Sequence, residues 1–325
     1  MNLVIRIKCI HDRFVYMVFN KKVVVLIPFL FSQVIASGWV GIGSQEPVQP
    51  SWQLLSSNNE KIEITFEMKG YFSKSLGNGK IRISFPTSAP ILNEGSPNLP
   101  LASKSVIIPE QANMSLSIVE SEYTDFQIND IEPSRGNLLR DVVPSTVPYK
   151  YGPQYEKDEF YPQNIAFLRD PYILRSLRGQ SIVIQPIQYN PVKKILRVYT
   201  RLKIAIESDG PGGKNQLTRV PRNSNSREFE NIFRQHFINY PTNDRYNILT
   251  EQGSMLIISH EDFVEHMQPF TSWKNYKGIP TTLTSVSEIG GSDEIYQYIE
   301  NEYYNNGIAY VLLVGDIDQI ASIRR

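Results

Sequence analysis

The chain has 325 residues, with 33 Lys+Arg against 33 Asp+Glu, 41% apolar and 20% charged residues. That balance excludes a wholly disordered chain, a coiled coil and a collagen-like fibre. Zero net charge gives no support to a nucleic-acid partner, which draws on a basic excess.

In chain order, the first signal is Lys21-Lys22 ahead of the apolar run Val23 to Phe31, followed by small residues up to Gly38. A basic start, a short apolar core and small residues predict an export signal cut near Ala36–Gly38. The run also suits a buried strand, but it is too short for a membrane span of about 20 residues. Met17 is the natural start of such a signal, so residues 1–16 read as an upstream extension and 1–38 as extension plus signal peptide. Cys9 is the one cysteine of the chain. No intrachain disulfide and no cysteine-type structural zinc site can form. The expected mature form is secreted or at the cell surface, cysteine-free and without a membrane span.

Residues 39–60 are polar, carry Pro47 and Pro50 and read as a linker. From 61 the period is two: Ile62, Ile64, Phe66 and Met68, then Ile81, Ile83 and Phe85 after Gly77-Asn78-Gly79. Val106 to Ile108, Leu116 and Ile118 continue it, 130–180 is proline-rich and irregular, and strands follow at Ser181–Tyr189 and Ile195–Glu207. Short alternating runs between turns predict antiparallel strands with one wet face. Residues 61–207 are therefore expected to form an all-β, sandwich-like domain.

Asp209-Gly210-Pro211-Gly212-Gly213 breaks regular structure. It opens a second linker, 208–245, in which Phe229, Ile232, Phe233 and Phe237 predict a short amphipathic helix. After 246 the pattern changes. Met255–Ile258, Ile279–Val286 and Tyr310–Val314 read as strands. Between them Phe263, Met267, Phe270 and Trp273 mark one helix, and Ile295, Ile299 and Tyr303 mark another capped by Ser292. Alternating strands and helices predict a parallel sheet, and apolar-throughout strands are those buried on both faces. A doubly wound sheet has about five or six strands, so 246–325 is expected to be the first part of an incomplete α/β domain. The fold class is thus α+β and multidomain.

Few motifs carry chemistry. Gly315-Asp316 follows the last strand, where ligands of open α/β sheets bind. A carboxylate there is a metal ligand, a positioning acid or a turn cap. His260-Glu261 lacks a second histidine four residues on, because His266 is rotated by roughly 240° on a helix, so a zinc-protease helix is rejected. There is no Gly-x-Ser-x-Gly elbow and no Walker phosphate loop.

Three stretches resemble one family. The first is Gly95-Ser96-Pro97-Asn98-Leu99-Pro100 with Val106-Ile107-Ile108-Pro109. The second is Tyr161-Pro162, Leu177-Arg178-Gly179-Gln180 and Pro186-Ile187-Gln188-Tyr189-Asn190-Pro191. The third is Leu256-Ile257-Ile258, Trp273-Lys274-Asn275-Tyr276-Lys277-Gly278 and Tyr310-Val311-Leu312-Leu313-Val314-Gly315-Asp316. In this order they resemble the gingipain-type cysteine peptidases with their propeptide. The resemblance implies a secreted zymogen whose β-rich propeptide assists folding and blocks the active site. It also implies a caspase-like α/β peptidase domain that hydrolyses peptide bonds with a Cys–His dyad. The family's dyad belongs to later strands and no residue here matches it, so no catalytic residue is assigned and the chain alone is expected to be inactive. Asp316 matches an aspartate of the family's calcium site, with the remaining ligands expected downstream. Arg245-Tyr246 falls where the propeptide of arginine-specific members is cut. The implied partners are protein or peptide substrates of the parent enzyme and a propeptide-to-peptidase contact. The other reading is a non-catalytic secreted β-sandwich inhibitor or binding protein with a vestigial α/β tail.

Overall fold

Strands and their register account for most of the chain. The computed structural model describes residues 37–77, 79–219, 227–241 and 253–320. It also describes two paired antiparallel strands nearer the start, β1 (Ile5–Ile7) and β2 (Val15–Met17). Met1–Ala36 forms one unit and Ser37–Arg325 another. The export signal predicted downstream of Met17 lies outside the described residues, as does Cys9.

In the larger unit the strands are β3 (Ser37–Gly41), β4 (Ser51–Ser57), β5 (Lys61–Glu67), β6 (Gly70–Ser75), β7 (Lys80–Ser84) and β8 (Ala89–Pro90). Then come β9 (Pro100–Ile107), β10 (Ala112–Gln127), β11 (Asp130–Ile131), β12 (Ala166–Leu168) and β13 (Tyr172–Leu174). After them follow β14 (Leu177–Ile184), β15 (Ile187–Asn190) and β16 (Ile195–Pro211). They form three sheets, ordered β10-β16-β5-β4 with β15 also on β16, β11-β7-β6-β3, and β12-β14-β9-β8 with β13 also on β14. All their pairings are antiparallel except β11 with β7. The inward rows of the three sheets meet in one apolar core that includes Ile64, Phe66, Leu99, Ile131, Ile182, Tyr189, Leu202 and Ile204. The period-two runs at 62–68, 81–85 and 196–206 supply much of it, because alternate residues of a strand share a face.

Three segments depart from the sequence reading. The presumed linker 39–60 contains β4 and most of β3, which begins at Ser37 within the segment read as signal peptide, and Trp52 packs edge-on against Phe66 at 5.0 Å. Both are end strands of their sheets, and an edge tolerates the polar residues that hid them. The single strand expected over Ser181–Tyr189 is broken between β14 and β15 at Gln185-Pro186, where proline offers no N–H to a ladder. β16 runs on through Asp209-Gly210 to Pro211, which pairs with Ala112.

The second linker carries α1 (Arg227–His236), and its Phe233 and the following Phe237 are buried. Beyond it lie β17 (Met255–Ser259), α2 (Glu261–Tyr276), β18 (Thr281–Ser285), α3 (Val286–Ile289), α4 (Ser292–Asn306) and β19 (Tyr310–Val314). Their sheet is parallel, ordered β18-β17-β19. The first crossover runs from β17 to β18 and the second returns from β18 past β17 to β19, so right-handed connections in opposite directions put α2 and α4 on opposite faces. On the α4 face Leu256, Ile258, Ile295, Ile308 and Ile320 form a small core. Ser292 is the first helical residue of α4 rather than its cap. Gly291 holds that position, with no side-chain hydrogen bond.

Candidate functional site

The carboxyl edge of the parallel sheet gathers the residues singled out for chemistry. Each strand there runs into a turn fixed by its own side chains. After β17, the His260 N–H donates to Val314 O (2.9 Å), and its Nδ1 accepts from Asp262 N–H (3.4 Å), capping α2. His260 is therefore a helix cap flanked by Glu261 and Asp262. After β18, Ser285 and Glu288 form a reciprocal capping box, and Glu261 Oε1 accepts from Ser287 N–H (2.6 Å). The bonds from Ser287 hold the Glu261 carboxyl below the ordinary carboxylate range, and the Thr284 hydroxyl does the same for Glu288.

After β19, Asp316 Oδ1 accepts from Ile317 N–H (2.7 Å), while Asp316 O accepts from the Gln319 and Ile320 N–H groups. A Cβ on Gly315 would stand 3.0 Å from Ile320 Cγ1, so the chain needs glycine to bring buried Ile320 back under the strand end. Phe263, Val314, Gly315, Asp316, Asp318 and Gln319 line an open hollow of about 610 Å³ here. Calcium takes six to eight oxygen ligands. The hollow offers two carboxylates, one of them already engaged, and no cluster of three or more His, Cys, Asp or Glu suited to a metal occurs among the described residues. These residues do not make a calcium site by themselves. Asp316 stands at the strand end as expected and works there as a turn cap.

A second constellation joins the β-domain to the α/β segment, and sequence reasoning missed it. At the β13–β14 turn, Arg175 adopts φ +56°. Its Nη1 donates to Ile308 O (3.0 Å) and its Nη2 to Gly307 O (3.2 Å), just past the end of α4. The guanidinium lies over the rings of Phe229 (4.4 Å) and Tyr303 (5.4 Å), and Arg219 lies over Tyr304 (3.9 Å). No local signal marks it: Arg175-Ser176 is a polar pair in the stretch read as proline-rich and irregular.

The resemblance motifs turn out to be clasps. Leu177-Arg178-Gly179-Gln180 opens β14. The fully buried Arg178 guanidinium donates to the carbonyls of Pro109 (2.8 Å), Ala112 (2.6 Å), Lys214 (2.8 Å) and Asn215 (2.9 Å), holding the 214–215 chain against the sheet. A Cβ on Gly179 would lie 2.5 Å from Phe237, so glycine is required where α1 delivers that ring. Next to it, Ile238 N–H donates to Ser105 O, and the Asn239 side chain exchanges two hydrogen bonds with the Ile107 backbone (2.7 and 2.9 Å). Residues 237–239 thus continue the sheet at β9. In the Gly95–Pro100 motif, Asn98 Nδ2 donates to Glu132 Oε1 (3.0 Å). Glu132, fully buried, also accepts from Arg82 and from the Tyr149 hydroxyl. Arg245 and Tyr246 lie outside the described residues.

Comparison with known proteins agrees with this division. The family model Propeptide_C25 matches residues 44–247, and the model of Peptidase family C25 matches 248–321. Gingipain R2 of Porphyromonas gingivalis (strain ATCC BAA-308 / W83) is 34% identical over 277 residues, which cover 82% of this chain and 37% of that protein. Gingipain R1 of Porphyromonas gingivalis is 32% identical over 278 residues, covering 82% and 28%. The chain therefore spans only 37% and 28% of the length of these two relatives. The solved structure "Complex of Porphyromonas gingivalis RgpB pro- and mature domains" superposes with a TM-score of 0.53 at 32% identity, covering 58% of this chain and 98% of that one.

Proposed function

We propose, from a chain that belongs to the gingipain (C25) peptidase family and joins its propeptide to the start of its peptidase domain, that the β-domain is the inhibitory and folding partner of a secreted cysteine endopeptidase. In this reading the β-domain is sandwich-like and the 253–320 segment opens a caspase-like α/β domain. The observation that carries it is the end-to-end order of the two family matches, on a chain whose β-domain touches the α/β segment through Arg175. Peptide-bond hydrolysis by the parent enzyme would use a Cys–His pair. No residue of this chain is assigned to that pair, so the chain by itself is expected to cleave nothing. Asp316 contributes one carboxylate to a calcium site whose other ligands come from elsewhere, and alone it holds calcium weakly.

Secretion follows from the expected signal sequence. Among the described residues no helix is long and apolar enough to cross a membrane. In this reading the parent is cut at Arg245-Tyr246, and the nearby junction of the two family matches, two residues on, supports it. Since 237–239 pair with β9, cleavage there leaves α1 with the β-domain. Amino-terminal sequencing of the secreted peptidase should begin at Tyr246; a different start rejects this cut. The decisive assay adds the purified chain to an arginine-specific gingipain and follows peptide hydrolysis. Concentration-dependent inhibition is expected, and unchanged hydrolysis rejects the inhibitory role.

A further inference from the structure

We infer that Arg175 is the hook by which the β-domain keeps hold of the peptidase segment after the connecting chain is cut, its receptor being the carboxyl end of α4. The inference deepens the propeptide reading and rests on it for the identity of the two parts. Four features converge.

The first is the receptor's charge. A helix ends in unpaired carbonyls and a partial negative charge that a cation relieves. α4 has no basic residue in its last turn. The cation at this end is brought by the β-domain. Arg175 reaches Gly307 O and Ile308 O with its two terminal nitrogens, as a planar fork does and an ammonium does not.

The second is the seat. The guanidinium lies over Phe229 of the α1 segment and Tyr303 of α4, so one side chain of the β13–β14 turn touches two other parts of the chain at once. Charge over aromatic faces strengthens where water is displaced. Arg219 on Tyr304 repeats the motif one residue along the helix.

The third is the backbone. Arg175 holds φ +56°, a conformation that glycine and asparagine adopt more readily. A turn that needed only its geometry would be better served by either. Arginine there is explained by what its side chain does.

The fourth is the route of the chain. Just ahead of Pro241, Phe237, Ile238 and Asn239 are tied to β9 of the β-domain. The peptidase segment resumes its described course at 253. A cut between them leaves the contact made by Arg175 and Arg219 on both sides of the break.

The test uses the full chain with a site-specific protease sequence substituted within 242–252. After cutting, the two pieces should co-elute on gel filtration through a dilution series. Arg175→Gly and Arg175→Asn keep the left-handed turn while removing the guanidinium, so loss of folding is not a confounding outcome. Both should weaken association about 30-fold, the scale of a central arginine anchor. Arg175→Lys should recover only part of that. In the uncut chain, amide exchange over 303–309 of the α/β segment should accelerate in Arg175→Gly and stay unchanged across the β-domain. Separation of the wild-type pieces, or undiminished co-elution of the Arg175→Gly pieces, overturns the proposal. If the pieces associate in an Arg175-dependent way but the chain does not inhibit a gingipain, the hook stands and the inhibitory reading falls. Inhibition with no dependence on Arg175 gives the reverse.

Discussion

The β-domain and the α/β segment both contain strongly apolar strands, yet they bury them very differently. In the β-domain, β16 lies between β10 and β5, and its Leu202, Ile204 and Ile206 are fully buried. In the α/β segment, β17 is flanked on both sides and buries Leu256, Ile257 and Ile258. β19, just as apolar, is an end strand, and Val311 and Leu313 remain 42% and 49% exposed. The difference teaches that an apolar run states what a strand requires of its surroundings. Whether that requirement is met depends on which neighbours are at hand.

The largest consequence is independence. The β-domain core draws on three sheets, while the α/β core on the α4 face rests on five buried residues, Leu256, Ile258, Ile295, Ile308 and Ile320. Small cores leave little surplus over chain entropy. Residues 37–241 alone should therefore melt cooperatively, and residues 246–325 alone should be unfolded or aggregate through an open apolar edge. Far-UV circular dichroism with sedimentation measures both. A cooperative transition in the isolated α/β segment would break the comparison outright.

Next in size is the charged interior that, among the described residues, only the β-domain possesses. Burial pushes the Glu132 carboxyl up, but the bonds from Arg82, Tyr149 and Asn98 outweigh it and hold its pKa below the ordinary value. Removing one partner of a buried ion pair costs about 3–5 kcal/mol, because the other charge loses its compensation. Arg82 is partly exposed, so Glu132→Ala should fall at the low end, about 3 kcal/mol. Urea denaturation of the full chain, followed in the β-domain, checks this. The pH dependence has a definite sign. A carboxylate depressed in the folded state stabilises above its unfolded pKa and loses that contribution as pH falls through the folded value. Wild type should therefore lose more stability than Glu132→Gln on acidification below about pH 4. Equal slopes for the two would remove Glu132 from the account.

Legibility in the sequence divides along the same line. Strands with one buried face announce themselves by period two, as at Ile62–Met68 and Leu196–Ile206, and the change to strand–helix alternation after Met255 is equally plain. Edge strands β3 and β4 were unreadable because their polar residues satisfy solvent as well as a linker would. The position of Asp316 followed from the end of an apolar run, whereas its engagement by Ile317 N–H depends on the turn beyond. Arg175 gave no signal, since its acceptors lie 132 and 133 residues away, and no local pattern encodes a partner at that separation. Arg178 appeared only as part of a motif. Its four carbonyl acceptors come from segments that meet only in the folded sheet.

The smallest effect is the one that isolates coverage from composition. Ile258 of β17 and Leu313 of β19 are register partners in the parallel sheet, similar in size and one strand apart. Ile258 is fully buried and Leu313 half exposed. Truncating a buried isoleucine to alanine costs about 2–5 kcal/mol through lost transfer energy and the cavity left behind. A surface position away from special contacts changes stability by about 0.5 kcal/mol or less. Ile258→Ala should thus accelerate amide exchange across β17 strongly, while Leu313→Ala should barely move it. Leu313→Thr should lower self-association at high concentration, because it removes apolar area from an exposed edge without opening a cavity. If Leu313→Ala proved as costly as Ile258→Ala, something in this chain would have to cover β19 in solution. The contrast between the two regions would then reduce to a difference in core size.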